Sequence, residues 1–583
     1  MKNILYKLLH KKSYVNMILG VFFASLMLGS CESDLDDKFY DPEKLTTASF
    51  EMLFTGVLQE TELFRLEYGP GYHYSRAFNR FLGLGLFPYE ALNNVEDGQN
   101  KPWAGWSGVN LRETMYKKTY IKFNKNIPAM NLILNGLSEE EKLKMEIYVD
   151  CVNVVRAYAF QRLTDTCDDI PYSEAGGAFE NNFYAKYDSQ QEIYHSILDM
   201  LKEVGEKLST YEITDPVIAE KFAVADILNN GDVMLWAKFA NSLRLRMAMR
   251  LSIVEPQISE QIIGEIISQN LPLVSEADDF IGMAEKNFAQ VMEIYWPRAF
   301  KEMYYNFHAP NFMMKNIFGY NGPATPVDQV DPRYKVIFQP NVFGDYVGVD
   351  INGPTQFPTI DADMGALGYG ADTIQKAKDW AYDDHTEPHF SMYNKLTYNN
   401  YKMEYPAFTA SETHLLLAEA AIRFPGATGS IDPVEEYKKA ISESIDWHYA
   451  VNNGNSFSET SFPAIPSKLF EGAKAEKPAA GDISTFLTGK GVTFDAMGND
   501  DKIKEIFYQK FAHLNILNYF EIWSEARRLK KDYGELVPRN KPYAFMERFE
   551  YPVGEPQSNP DNYQTVAAKD NPLVPVWWTG RTE

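Results

Sequence analysis

The sequence is poor in cysteine, in clustered basic residues and in long apolar runs, and each shortage excludes a class of protein. Three cysteines in 583 residues cannot form a disulfide scaffold, and no His/Cys spacing resembles a structural zinc site. No run of five basic residues occurs, and a formal net charge of −24 repels phosphate backbones, so we expect no nucleic-acid partner. No segment after residue 31 approaches the roughly 18 consecutive apolar residues of a membrane-spanning helix.

Motifs for metal, nucleotide and catalytic chemistry are also missing. No His-Glu-x-x-His motif occurs, and the Gly-Lys-Gly at 489–491 lacks the spacing and the following Ser or Thr of a phosphate-binding loop. His385, Glu387 and His389 resemble a ligand cluster, but Pro388 prevents a regular helix and the spacing is not that of a zinc site. We therefore expect no metal, no cofactor and no enzymatic activity.

The amino-terminal residues are typical of a bacterial lipoprotein signal peptide. An apolar stretch at 17–28 is too short to span a ~30 Å hydrocarbon core as a helix, and it follows four lysines: Lys2, Lys7, Lys11 and Lys12. It ends in Leu28-Gly29-Ser30-Cys31, which resembles the lipobox whose cysteine thiol receives a diacylglyceryl group. We predict a signal peptide over 1–30 and lipidation at Cys31. The alternative is an ordinary signal peptide with an incidental cysteine.

A lipidated, flexible tether is predicted over residues 31–45. Residues 32–37 read ESDLDD, an acidic stretch that cannot offset the entropy of its own ordering by burying apolar surface. Acidic residues after the lipidated cysteine resemble the signal that Bacteroidetes use to send lipoproteins to the outer face of the outer membrane. The alternative is a merely solvated linker.

Helical periodicity dominates both ends of the remaining chain. Apolar residues recur at steps of three and four in stripes that begin at Leu143, Ile193, Trp236, Val434 and Ile503. Asp432 suits the N-cap and Pro433 the first position of the helix with the Val434 stripe, and the last stripe predicts one helical stretch over about 501–529. The helices follow one another in pairs joined by short polar links, so the prediction is a mainly α fold with a TPR-like scaffold of helix-hairpin repeats.

A long irregular segment interrupts this pattern from about 255 to 406. Ten prolines lie between Trp296 and Pro406 inclusive, so a long uninterrupted helix is not expected there. The segment is rich in aromatic residues, which argues against disorder. We predict an insertion of loops and short elements that forms the ligand-binding region.

Several blocks carry a resemblance to a known family. Residues 154–158 read VVRAY and 168–175 read DDIPYSEA, which resembles a signature of the SusD/RagB-like outer-membrane lipoproteins of Bacteroidetes. Asp168 stands where that family often has Gly. Later blocks are similar to the family's and follow in its order; they lie at 412–420, 506–510, 520–528 and 548–552. The resemblance spans residues 150–578 and implies a single SusD-like domain over 46–583.

The resemblance implies a binding protein rather than an enzyme. Its first implication is a cell-surface lipoprotein that captures oligosaccharides and loads them into a SusC-like TonB-dependent transporter, with the membrane reached only through the lipid. Capture of peptides by the same architecture is the alternative. A structural surface-layer lipoprotein is a third interpretation, and Asp383-Asp384 leaves a glycoside hydrolase as a further one.

Sugar binding requires aromatic platforms with amide and carboxylate neighbours, which occur at two places. The predicted ligand-binding residues are Tyr72, Tyr74, Asn100, Trp103 and Trp106 before the helices, and Trp380, Tyr382 and Asp383 in the insertion. Trp236 and Trp523 lie at core spacing and are assigned to packing. Glu412 and Glu419 are expected to form ion pairs, and Arg527 and Arg528 to complement a helix dipole.

Overall fold

The computed structural model describes residues 48–60, 115–177, 182–282, 308–341, 344–350, 370–372, 390–398, 406–454, 474–539 and 544–582. From Glu51 onward these residues belong to one compact unit. Helices dominate it, which confirms the predicted fold class. None of the helices in these ranges combines the length and the apolarity that crossing a bilayer requires.

Twelve of the helices in the described ranges have ten or more residues. They are α1 Phe50–Glu60, α2 Asn126–Asn135, α3 Glu139–Cys167, α4 Gln190–Leu208, α5 Pro216–Ala225, α6 Val233–Arg250, α7 Pro256–Ser268, α8 Ala410–Arg423, α9 Pro433–Gly454, α10 Ala480–Asp495, α11 Asn499–Leu514 and α12 Tyr519–Tyr533. Consecutive helices pack as hairpins, α3 on α4, α6 on α7, α8 on α9 and α11 on α12. The predicted helix-hairpin scaffold is therefore observed.

The short elements connect these helices. Four-residue helices lie at Tyr334–Ile337, Lys395–Tyr398, Pro425–Thr428, Glu555–Ser558 and Pro560–Tyr563, π-helical turns at Lys118–Phe123 and Met313–Ile317, and 3₁₀ turns at Val327–Gln329, Ala567–Lys569 and Trp577–Thr579. Strand β1 (Phe280–Ile281) pairs antiparallel with β4 (Phe408–Thr409), and β2 (Phe338–Gln339) pairs with β3 (Met392–Tyr393).

The helix starts follow from local chemistry. Ser138 and Ser189 each accept a hydrogen bond from the backbone N–H three residues later, and the Glu at that position bonds back to the serine N–H. Asp432 accepts from the N–H of Val434 at 2.9 Å, and Pro433 is the first residue of α9, as predicted. These caps satisfy N–H groups that the helices leave without a partner.

Three predicted boundaries require correction. Helix α7 lies inside the segment predicted to be irregular, because Pro256 takes the first helical position, where its missing N–H costs nothing. The single helical stretch predicted over about 501–529 is two helices, since Asn515 at φ +30° ends α11. Leu143 is 59% exposed, so the buried stripe of α3 begins at Ile147.

Ion pairs between arginine and glutamate lie inside the helical core. Arg246 Nε and Nη2 donate to the two carboxylate oxygens of Glu412 at 2.6 and 2.7 Å. Arg528 donates to both oxygens of Glu419 at 2.8 and 2.7 Å. The expected ion pairs of the glutamates are confirmed, whereas Arg527 and Arg528, expected to complement the dipole of α12, bond to core groups such as the Asp165 carbonyl and Glu419. Both guanidinium groups are fully buried one to two turns before α12 ends.

The same network continues along α11 and α12. Arg250 pairs with Glu521 and, at 2.5 Å, with Glu525. Lys510 donates to the second oxygen of Glu525 at 2.7 Å. Positive partners on three sides hold the pKa of Glu525 well below its usual range, even though burial by itself would raise it. These charges are paired within the core, which is the condition for keeping them there.

A turn after α3 connects to a distant part of the chain. Asp168 ends the helix at φ +71°, and Ile170 forms an antiparallel bridge with Asp188. Oδ1 of Asp168 accepts from the N–H of Trp577 at 2.9 Å. Next to it, Trp578 Nε1 donates to Asp165 Oδ1 at 2.8 Å.

Candidate functional site

Every predicted ligand-binding residue lies outside the described residues. These are Tyr72, Tyr74, Asn100, Trp103, Trp106, Trp380, Tyr382 and Asp383, and the same holds for Cys31, His385, Glu387 and His389. The platform and anchor assignments therefore remain predictions. Trp236 and Trp523 are fully buried, which confirms their assignment to the core. Cys151 and Cys167 are buried free thiols.

Most described aromatics of the insertion pack into the protein interior. Phe318 contacts Phe338, and Tyr393 lies between Phe338 and Tyr398 with centroids 4.9 and 5.3 Å away. Burial raises the pKa of the Tyr393 phenol well above its usual range. The aromatic density of this segment thus has a packing role as well as any role in binding.

Two tyrosines of the insertion, Tyr320 and Tyr334, also border a cavity, and Tyr346 packs beside them. Tyr320 and Tyr334 stack with centroids 4.8 Å apart and planes inclined by 25°, and Tyr346 contacts Tyr334 edge-on at 4.7 Å. Gly319 at φ +71° and Gly322 at φ +115° turn the chain beside them. The three rings therefore form an aromatic cluster beside the loop that these two glycines turn.

The opposite wall of this cavity comes from the start of α10. Asp482, Ile483 and Phe486 lie on one face of that helix and complete a cavity of about 170 Å³, which we call the tyrosine pocket. Its other described lining residues are Tyr320, Pro323, Thr325, Val327, Val330, Pro332, Tyr334, Lys335 and Pro478. The pocket joins segments that are about 150 positions apart in the chain.

The pocket has mixed chemistry. Lys335 Nζ lies 5.8 Å from the centre of the Tyr334 ring. Burial, with Tyr320 beside it, raises the pKa of Tyr334 to about 12, so the phenol stays protonated and can donate. Exposed Asp482 and Lys335 add a carboxylate and an ammonium group at the rim. Because Tyr320 and Tyr334 stack on each other, little of their ring area is left for contact with a ligand. The cavity therefore suits one small group of a ligand.

The sequence contained a signal for the tyrosine pocket that our site assignment did not use. Glycines and prolines punctuate the chain at 319, 322, 323, 326 and 332, which is typical of a shaped loop. The partner face on α10 carries no such signal. Within the described ranges, no three His, Cys, Asp or Glu side chains are grouped so as to hold a metal ion.

Solved structures share this fold. A chitin-binding protein superposes with a TM-score of 0.63 at 20% identity, covering 91% of this chain and 100% of its own. A chitin-binding SusD homologue from Flavobacterium johnsoniae has a TM-score of 0.59 at 19% identity, with 90% and 98% covered. A SusD/RagB family protein from Bacteroides thetaiotaomicron has a TM-score of 0.62 at 16% identity, with 92% and 100% covered.

The sequence itself matches a family model. No curated protein matches the chain significantly. The SusD-like model, described as starch-binding and associating with the outer membrane, matches residues 99–552, which is more than half of the chain. With the helical fold that it shares with SusD homologues, the chain belongs to the SusD-like family.

Proposed function

We propose that this protein is a cell-surface lipoprotein that captures oligosaccharides and delivers them to a SusC-like TonB-dependent transporter. The observation that carries the proposal is the family match over residues 99–552, because that family is described as starch-binding and outer-membrane associated. Two similar structures are named as chitin-binding, which also favours a glycan over a peptide. Lipid at Cys31 is the proposed anchor.

The ligand site is proposed at the two predicted platforms. One comprises Tyr72, Tyr74, Asn100, Trp103 and Trp106, and the other Trp380, Tyr382 and Asp383. Indole and phenol rings cover the C–H face of a sugar, while amide and carboxylate groups bond its hydroxyls. The tyrosine pocket is a smaller accessory position on the same chemical principle.

Binding without catalysis is part of the proposal. The buried carboxylates Glu412, Glu419 and Glu525 are each held by arginine or lysine, so none of them is a free general acid. Incubation with oligosaccharides should therefore return them uncut, as chromatography of the products would show. Cleavage that disappears in an Asp383→Asn variant would instead favour the glycoside hydrolase.

The platform test compares ligand affinity with stability. Trp103→Ala, Trp106→Ala and Trp380→Ala should each weaken oligosaccharide binding by about 1 to 3 kcal/mol while leaving the melting temperature nearly unchanged. Trp236→Ala is the core control and should cost about 3 to 5 kcal/mol of stability. Parent-like affinity in all three platform variants, or early melting of all three, would refute the site assignment. Binding of peptides but of no glycan would favour the alternative function.

The transporter test is co-purification. A lid that stays on a barrel needs an interface on the order of 2,000 Å² or more. We expect the protein to copurify in mild detergent with a TonB-dependent barrel expressed beside it. Recovery as a lone monomer under those conditions would contradict the partnership.

A further inference from the structure

We propose that a second cavity, separate from the platforms and the tyrosine pocket, binds an uncharged saccharide. It lies between α2, α3, residues 173–177 and Asn182, and its volume of about 530 Å³ is within the range of small-molecule sites. Five asparagines line it, Asn124, Asn131, Asn135, Asn153 and Asn182. We call it the amide pocket, and it shares no described lining residue with the tyrosine pocket.

Two helix faces place the amides. On α2, Ile127, Asn131 and Asn135 follow at steps of four and so share one face. On α3, Asn153 and Arg156 are one turn apart and face the same cavity. Asn131 and Asn135 therefore form one row of amides about one helical turn of 5.4 Å apart, and Asn153 with Arg156 forms a second polar row on α3.

Four of these amides have unused hydrogen-bonding capacity. Within the described part of the chain, the side chains of Asn124, Asn131, Asn135 and Asn153 form no hydrogen bond. Asn124 is the most enclosed of the four, at 3% exposed, whereas Asn131 and Asn135 are exposed and Asn153 is half-buried. A ligand that both donates and accepts hydrogen bonds matches these amide groups.

Arg156 is held in a fixed plane at the edge of the pocket. Its guanidinium group lies 4.6 Å from the ring centre of Tyr172 and 5.2 Å from that of Phe160. Nη2 donates to the Tyr172 carbonyl at 3.3 Å. Stacking and this bond leave further N–H groups for a ligand and restrict their directions.

The third wall is a tight loop. Gly176 has φ +92°, and a Cβ there would lie 3.0 Å from Asn124 Nδ2 and 3.1 Å from Pro128 Cγ. Asp188 accepts from the backbone N–H groups of Tyr172 and Ser173 at 3.0 and 2.7 Å. The loop therefore approaches α2 closely and is tied down, so the pocket exists before a ligand arrives.

The charge balance indicates a neutral ligand. Glu174 accepts from the Lys186 N–H at 3.0 Å and from Asn182 Nδ2 at 2.9 Å, and these bonds lower its pKa. Its carboxylate offsets the charge of Arg156, which leaves a lining dominated by amides. Sugar hydroxyls match amides in being both donors and acceptors. No aromatic ring is among the described lining residues, so we expect modest affinity, with a Kd on the order of 1 mM.

The test places a reporter at the rim. Leu132 lines the pocket and is 66% exposed, so Leu132→Cys can carry an environment-sensitive fluorophore, whereas Cys151 and Cys167 are buried. The experiment uses a Cys31→Ala background and the probes maltotriose, cellotriose and triacetylchitotriose, with a trigalacturonate as the charged comparison. Val492→Cys, which is 68% exposed outside the pocket, carries the control label.

We expect at least one neutral trisaccharide to give a saturable response at position 132 and none at 492. Adding Asn135→Ala with Asn153→Ala should weaken that response tenfold or more, whereas exposed Asn499→Ala should not. Thermal unfolding of each variant verifies the fold, and Asn131→Ala replaces the double variant if it unfolds.

Three results would overturn the amide pocket. The first is no response to any neutral trisaccharide up to about 10 mM, which is ten times the expected Kd. The second is a response to trigalacturonate alone. The third is an equal response from the labels at positions 132 and 492. A response at position 132 that the asparagine changes leave unaffected would also refute it. Glycan binding that is lost in the Trp103 or Trp380 variants would then leave the proposed capture function intact, so the two proposals fail separately.

Discussion

Arg246 and Glu412 join α6 to α8 through a bidentate ion pair in which both side chains are only 2% exposed. The guanidinium also donates to the Ala407 carbonyl at 3.0 Å and lies 4.1 Å from the centre of the Phe408 ring. Two residues 166 positions apart thus fix the register of the two helical halves of the scaffold. The pair therefore connects a face of α6 to a face of α8 and leaves neither buried charge without a partner.

Breaking this pair on one side should be severe. Glu412→Gln leaves the buried charge of Arg246 with only Glu521, 3.9 Å away and shared with Arg250, so we expect a loss of about 3 kcal/mol in the free energy of unfolding. Urea titration at constant m-value measures it. Lys144→Gln, at the exposed Lys144–Glu140 pair, is the control and should change stability by less than about 1 kcal/mol. A loss at Glu412 no larger than in this control would contradict the structural role of the pair.

The conformation of Asp168 leads to a second prediction. At φ +71° any residue with a Cβ is strained, so Asp168→Gly should be more stable than Asp168→Ala by about 1 kcal/mol. Both variants lose the acceptor for Trp577 and the ion pairs with Arg548 and Lys569, so both should be less stable than the parent. The comparison of denaturation midpoints isolates the backbone effect. Equal stability of the Gly and Ala variants would show that the turn is unstrained.

A buried histidine pair makes stability depend on pH. Burial lowers the pKa of His448 to about 3, and it lowers that of His513 well below its usual value. Ser444 is bonded to both rings, and the facing charged groups are Arg333 and Asp331. Below about pH 6.5 these histidines therefore bind protons in the unfolded chain but not in the folded chain. Their contribution to the free energy of unfolding is complete above about pH 6.5 and is lost as the pH drops toward about 3.

The experiment measures unfolding free energy between about pH 7 and 5. The slope contributed by each such histidine reaches about 1.4 kcal/mol per pH unit below its ordinary pKa. His448→Gln, which stays neutral, should flatten the curve in this interval. The carboxyl groups with lowered pKa, such as Glu265 at about 2, act below this interval. A curve with the same slope in the variant would exclude His448 as the source.

Anchoring gives the fourth prediction. Because acyl chains would attach only at the Cys31 thiol, Cys31→Ala should move the protein from the membrane to the soluble fraction without changing its melting temperature. Ser33→Ala, two positions away, should stay in the membrane. Fractionation in cells without the partner transporter checks both. Retention of Cys31→Ala in that membrane fraction would defeat the lipoprotein assignment.

The helices were predictable from sequence wherever one face is buried and the other is not. Apolar residues of α4 and α6 recur at steps of three and four because those positions are buried in the core. Asp432-Pro433 predicts the start of α9. Asn515 was missed because a single asparagine in a left-handed conformation leaves no mark in the hydrophobic pattern. The hydrophobic pattern of a sequence indicates which residues are buried, but it does not indicate where one residue's backbone conformation ends a helix.

The candidate sites were predictable only in part. The loop signal at 319–332 marks one wall of the tyrosine pocket, but Phe486 on the other wall is an ordinary buried aromatic of a helix. The amides of α2 and α3 were missed because asparagine on an exposed helix face is unremarkable in sequence. Their significance depends on which two faces meet, and that is a tertiary property.

The hydrogen bond between Trp578 and Asp165 joins residues that are 413 positions apart in the chain. It therefore imposes an order on the steps by which the chain folds during synthesis. Synthesis from the amino terminus presents α3 and α4 long before residues 577–578 exist. Until those residues arrive, Asp165 lacks Trp578, and Gln190 lacks the Trp578 N–H that it accepts at 3.2 Å. Contacts between such distant segments form slowly because a very long loop must close first. The helices that are made early are therefore completed late.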